Sequence, residues 1–182
     1  MGARNHASVD ERLALASGVT QVMSLVPAWA PNVHPMLVHF PIALLFTSVL
    51  LDLLAYSMPG RARVLLRDVG SVLGVVGAFA ALATYLTGRA AAQTVLIPGM
   101  AHALVNAHWE WAFWTLWYFA GLAVVRVVML VLRGRAIGPR ATAALAIAGL
   151  IGLGLLFETA DRGAELVYGQ GVGVGVIPNT PR

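Results

Sequence analysis

Four long apolar stretches restrict what this chain can fold into. They cover residues 36–58, 69–86, 109–132 and 141–157. Each is close to the roughly 20 residues that an α-helix needs to cross the hydrocarbon core of a bilayer. Because lipid offers no partner to a free backbone amide or carbonyl, we predict that each stretch is helical. The expected fold is therefore all-α, a bundle of four transmembrane helices.

The composition agrees with a membrane environment. Hydrophobic residues make up 59% of the 182 residues and charged residues only 11%, against about 25% charged residues in soluble domains. Such a chain cannot bury its apolar side chains in one small core. We therefore expect the lipid bilayer to be its main partner.

The apolar stretches divide the chain into three parts. We predict an N-terminal segment over residues 1–32, a membrane domain over 33–160 and a C-terminal arm over 161–182. The helices of the membrane domain are expected at about 35–58, 67–90, 107–133 and 140–159. Two consecutive helix pairs would be compatible with an internal duplication, but their sequences show no convincing similarity.

The two ends differ in character. Residues 13–26 are moderately apolar and interrupted by Ser, Thr and Gln, so we expect an uncleaved amphipathic helix that lies on the membrane surface. In the arm, glycine alternates with Gln170 and valines from Gly169 to Gly175, which is typical of irregular structure and not of a helix.

The arginines indicate the orientation. The first and third connections between helices are rich in arginine, whereas the second contains only Arg89; the residues concerned are Arg61, Arg63 and Arg67, then Arg133, Arg135 and Arg140. Excess positive charge marks cytoplasmic loops. We therefore predict a multi-pass protein of an inner membrane with both termini on the outer, periplasmic face.

Several classes of protein are excluded or disfavoured. The chain has no cysteine, which rules out disulfides, thiolate zinc sites, iron–sulfur clusters and thioether-linked haem. The arginines are not grouped with aromatic residues on a polar segment, so nucleic-acid binding is not expected. No P-loop, HExxH or nucleophile elbow is present, and we expect an electron-transfer or accessory subunit before a stand-alone enzyme.

Four histidines are predicted to meet at one membrane face. His34 and His39 start the first helix, and His102 and His108 precede or start the third, which enters the membrane from the same side. Pro35 suits a first helical turn, whereas Pro41 falls inside the helix and should bend it. From their depth along the helices, we predict a deep pair of His39 with His108 and a shallow pair of His34 with His102.

Haem b is the first hypothesis for this cluster, because haem iron takes two axial ligands and imidazole is a good one. His39 and His108 would bind the iron, while His34 and His102 would bind a second haem or its propionates. Trp114 would pack on the porphyrin, and Glu110 or Glu158 would hold a ligand histidine as a hydrogen-bond acceptor.

Two other hypotheses remain open. Three histidines with Glu110, Glu158 or Asp161 would suit zinc or copper. Alternatively, the histidines only cap helices or bind headgroups, and the protein is a cofactor-free accessory subunit of a larger membrane complex. The stripes of small residues in the second and fourth helices fit close helix packing, or room for a flat cofactor.

Asp52 and Arg126 are charges within predicted membrane helices, toward the end opposite the histidines. The simplest expectation is an ion pair with an arginine, or an Arg126 side chain that reaches the interface. A proton path or a contact with quinone is the alternative.

The membrane domain opens with the motif His34-Pro35-Met36-Leu37-Val38-His39-Phe40-Pro41-Ile42-Ala43-Leu44-Leu45, followed by Asp52. This motif resembles the opening of a widespread bacterial family of four-helix "predicted membrane proteins" of unknown function. The segment Gly163–Val174 is similar to the closing motif of that family, and His108 fits a histidine that usually precedes its third helix.

This chain departs from the family pattern at two places. Arg162-Gly163-Ala164 stands where a pair of glycines is common, and Gln170 stands where a histidine is common. Relatives look like companions of secreted dehydrogenases and c-type cytochromes. The resemblance therefore implies redox work in a bacterial membrane, between a periplasmic redox subunit and the quinone pool or a respiratory complex.

Overall fold

A computed structural model describes residues 32–132 and 138–174 of the chain. The predicted N-terminal surface helix lies outside the described residues, as do Arg133, Arg135 and the last eight residues of the arm. Within the described ranges the protein contains helices and turns but no strand.

The helices form one short turn and four long rods. They are α1 (His34–Leu37), α2 (His39–Ser57), α3 (Gly60–Ala92), α4 (His102–Val131) and α5 (Pro139–Tyr168), with a 3₁₀ turn at Gly99–Ala101 before α4. Four spans of 24, 33, 33 and 30 residues are long and apolar enough to cross a membrane, which needs about 20. The predicted four-helix, all-α fold is confirmed.

Three helix ends differ from the prediction by five residues or more. α3 begins at Gly60 and not near residue 67, and α4 begins at His102 and not near 107. α5 continues to Tyr168 and not to about 159. Residues 161–168, predicted to belong to the arm, are therefore helical. Hydropathy falls at the edge of the hydrocarbon, but helical hydrogen bonding continues through polar residues until glycine or proline interrupts it. Pro59 precedes α3, and the glycine-rich segment from Gly169 follows α5.

The first span is interrupted at Val38, which separates α1 from α2. Pro41 has no amide hydrogen to donate to the carbonyl of Leu37, four residues earlier. The hydroxyl of Thr84 on α3 donates to that carbonyl instead, at 3.3 Å. The helix is thus interrupted one turn before Pro41, and a second helix supplies the missing donor.

The four long helices form a ring in which each contacts two neighbours. α2 packs on α3 and α5, and α4 packs on the same two helices. The buried core contains Leu45 and Phe119, and each faces a glycine: a Cβ at Gly77 would lie 2.8 Å from Leu45 Cδ2, and one at Gly152 2.7 Å from Phe119 Cζ. The small residues therefore serve close helix packing here.

Candidate functional site

His34 is held against α3 at one end of the bundle. Its ring is half-buried, and its Nδ1 lies 3.0 Å from the carbonyl oxygen of Thr84. A carbonyl can only accept, so Nδ1 carries the hydrogen and donates. The carbonyl is open to the ring because Gly88, one turn later, has no side chain: a Cβ there would lie 2.9 Å from His34 Cε1.

His108 is held against α5 in the same manner. Its half-buried ring donates from Nδ1 to the carbonyl oxygen of Thr159 at 2.9 Å. Gly163 follows one turn later, and a Cβ there would lie 3.1 Å from His108 Cε1. The Thr159 hydroxyl forms a hydrogen bond with Thr115 Oγ1 at 2.8 Å. The residue whose carbonyl holds His108 is therefore itself tied to α4.

The two rings have free nitrogens and lie at the same end of the bundle. A neutral imidazole that donates from Nδ1 presents an unprotonated Nε2, which is the form that binds metals. No hydrogen bond to either Nε2 comes from the described part of the chain. One ring lies against α3 and the other against α5.

A methyl group at Gly88 should move the His34 ring. We expect Gly88→Ala to destabilise the protein by roughly 1–2 kcal/mol, because overpacking costs about 1–3 kcal/mol and the better helix propensity of alanine offsets up to about 1 kcal/mol. The midpoint of thermal unfolding in detergent measures it. Gly154→Ala is the matched control, since nothing lies within 4 Å of its added Cβ. Equal midpoints for the two variants would contradict the packing described.

His39 and His102 are placed differently from the predicted pairs. Both side chains are exposed, whereas those of His34 and His108 are half-buried. At about 100° per residue, His34 and His39 point about 140° apart, and His102 and His108 about 120° apart. Only one histidine at each helix start can face the bundle, and in the structure these are His34 and His108.

The two glutamates predicted to accept a hydrogen bond from a ligand histidine do not accept one in the described structure. Glu158 pairs with Arg162, four residues later, and the carbonyl of its neighbour Thr159 takes the hydrogen of His108. Glu110 is exposed, and so is Trp114, which retains 64% of its accessible surface. These residues lie on the outside of the bundle.

The two helix pairs repeat the same contacts. His34, Leu45 and Asp52 recur as His108, Phe119 and Arg126, each 74 residues later; Gly77, Thr84 and Gly88 recur as Gly152, Thr159 and Gly163, each 75 residues later. Sequence comparison missed this relationship because most positions differ. The spacing of His, Thr and Gly was the available signal.

Asp52 and Arg126 occupy equivalent positions and bind each other. Arg126 donates from two nitrogens to the two carboxylate oxygens of Asp52, at 2.6 and 3.4 Å, and only 2% and 0% of the side chains are exposed. The expected ion pair of Asp52 with an arginine is confirmed. Asp52 is 18 residues beyond His34, or about 27 Å along a helix, so the pair lies far from the histidines.

The ligand set at the histidine end is small. Across residues 32–132 and 138–174, no three His, Asp or Glu side chains gather in a group that could hold a metal ion. The site as the chain builds it consists of two imidazoles, one from each helix pair.

Comparison with known proteins gives one match. A family model described as "Predicted membrane protein (DUF2231)" matches residues 30–176. No curated protein and no solved structure matches the chain.

Proposed function

Since the chain belongs to the DUF2231 family of predicted membrane proteins, we propose a function that is carried out inside the bilayer: the protein is a haem b electron-transfer subunit. His34 and His108 would be the axial ligands. This assignment keeps His108 from the sequence prediction and replaces His39 by His34.

The arrangement of the two imidazoles is the observation that supports the proposal. They come from separate helix pairs, each donates from Nδ1 to a backbone carbonyl, and each keeps Nε2 free. A hydrogen bond of this kind fixes the tautomer and the ring orientation of a metal-binding histidine. Two such rings at equivalent positions suit a metal with two equivalent protein ligands.

The number of protein ligands favours haem over zinc or copper. Structural zinc takes four protein ligands, and catalytic zinc takes three. The porphyrin itself provides four nitrogens, so haem iron needs only two ligands from the chain. His34 and His108 are the half-buried imidazoles of the histidine end among its described residues, whereas His39 and His102 are exposed.

When bound, haem supplies one-electron chemistry. The chain's own residues hold the site. The carbonyls of Thr84 and Thr159 hold the rings, and Gly88 and Gly163 let the rings lie close to α3 and α5. Arg162, which also stacks over Trp111 at 4.6 Å, places positive charge near His108.

The expected partners follow from the position of the site at one end of the bundle. We propose that this end faces the periplasm of a bacterial inner membrane, where the arginine distribution puts it. A periplasmic redox subunit would exchange electrons there with the quinone pool or a respiratory complex through this protein.

A visible absorption spectrum tests the function. The protein is expressed with haem supplied, purified in mild detergent, and recorded as a reduced-minus-oxidised difference. We expect sharp b-type bands and about one haem per chain, because one histidine pair takes one haem. A colourless protein with correctly folded helices would overturn the proposal and favour a cofactor-free accessory subunit.

A further inference from the structure

A cleft of about 380 Å³ lies on the outside of the bundle, between α3 and α4 at the histidine end. Its lining consists of four aromatic rings and two polar side chains: Tyr85, Trp109, Phe113 and Trp114, with Asn106 and Glu110. We propose that this cleft binds the ring of a quinone or quinol from the membrane. The redox role of the bound ring rests on the proposed function, but its binding does not.

The aromatic wall is fixed before any ligand arrives. The Trp109 indole donates from Nε1 to the Tyr85 hydroxyl at 2.5 Å, which joins α4 to α3. The Arg89 guanidinium lies 5.5 Å from the centre of the Trp109 ring. Phe113 packs edge-on to Trp114, with centroids 5.5 Å apart. Flat, rigid surfaces of this kind suit a flat ring.

The two polar side chains of the cleft favour a quinone or quinol over a lipid acyl chain. Asn106 and Glu110 stand one helical turn apart on the exposed face of α4, and no hydrogen bond to either side chain comes from the described residues. A lipid acyl chain would leave the carboxylate and the amide without partners, which is costly in an apolar environment. The Glu110 carboxylate can accept from a quinol hydroxyl, and the Asn106 amide can donate to a quinone carbonyl, while the tail of the ligand remains in lipid.

The cleft and the histidine pair are on opposite sides of one helix. Asn106 and Glu110 are each two residues from His108, or about 160° around α4 at 100° per residue. A ring in the cleft would therefore be separated from His108 by about one helix diameter, on the order of 10 Å. The site is close to the proposed cofactor without competing for its ligands.

Quenching of tryptophan fluorescence by a short-chain ubiquinone tests the proposal, with protein in detergent or nanodiscs. We expect saturable quenching, and about tenfold weaker binding in Asn106→Ala, because the amide donates to a quinone carbonyl. Glu165→Ala is the control, because Glu165 is an exposed polar side chain at the same end but outside the cleft. Non-saturable quenching, or equal affinity in the two variants, would overturn the site.

The same titration in His34→Ala separates the two proposals. We expect quinone binding to survive there, since His34 does not line the cleft. The chain has no cysteine, so Phe113→Cys introduces a single thiol. If this variant forms a disulfide dimer in native membranes, a second copy covers the cleft and the quinone proposal is wrong.

Discussion

Replacing either His34 or His108 by alanine should remove haem from the purified protein. Each variant would leave the iron with one protein ligand, and we expect a larger loss of affinity than the roughly 10- to 100-fold that follows removal of an outer-shell partner. The haem-to-protein ratio measures the loss, together with the difference spectrum. Circular dichroism shows whether the helices remain folded.

The chain offers matched controls for this experiment. His39 and His102 are histidines at the same end of the bundle, but their side chains are exposed. His39→Ala and His102→Ala should retain haem close to the wild-type ratio. Loss of haem in His39→Ala with retention in His34→Ala would contradict the assignment and restore the pair of His39 and His108.

Removing one charge of the Asp52–Arg126 pair should have the largest effect on stability. Asp52→Asn leaves a guanidinium that is 2% exposed without its counter-charge, which typically costs about 3–5 kcal/mol. The free energy of unfolding in detergent measures the effect. Glu158→Gln is the control, because it breaks a partly exposed pair four residues apart, worth at most about 1 kcal/mol.

The exchange of both charges makes the test specific. Asp52→Arg combined with Arg126→Asp should recover more than half of the stability lost in the single variant, because the two positions are equivalent in the two helix pairs. The apolar double variant Asp52→Leu/Arg126→Met should also lie near wild type, as with other buried pairs. If neither double variant is more stable than Asp52→Asn, the ion pair does not hold these helices together.

The sequence predicts the four spans well because hydropathy is a local property. It predicts helix ends poorly, as at Gly60 and Tyr168, because a helix continues past the hydrocarbon wherever the backbone allows. The ion pair of Asp52 could be anticipated, since a buried carboxylate in lipid needs a cation. Which arginine supplies that cation could not be predicted. Arg126 becomes identifiable only once α2 and α4 are known to occupy equivalent positions in the bundle.

The histidine pair is the part in which the sequence prediction and the structure differ. Depth along the helix favoured His39, but angle around the helix decides which ring faces the bundle. Pro41, Leu45 and Asp52 each fall within about 20° of His34 at 100° per residue, and this shared face contains the buried residues of the first span. The backbone carbonyl of Thr84 could not be foreseen, because it becomes open to the ring only through the packing of α1 on Gly88.

The repeated contacts show how a single chain differs from a symmetric pair of hairpins. Two identical copies of one helix hairpin would carry the same residue at the positions of Asp52 and Arg126. Two identical charges repel at that distance, whereas opposite charges bind. The buried ion pair therefore requires two hairpins of different sequence, which this chain supplies, while the histidines of the two hairpins stay the same.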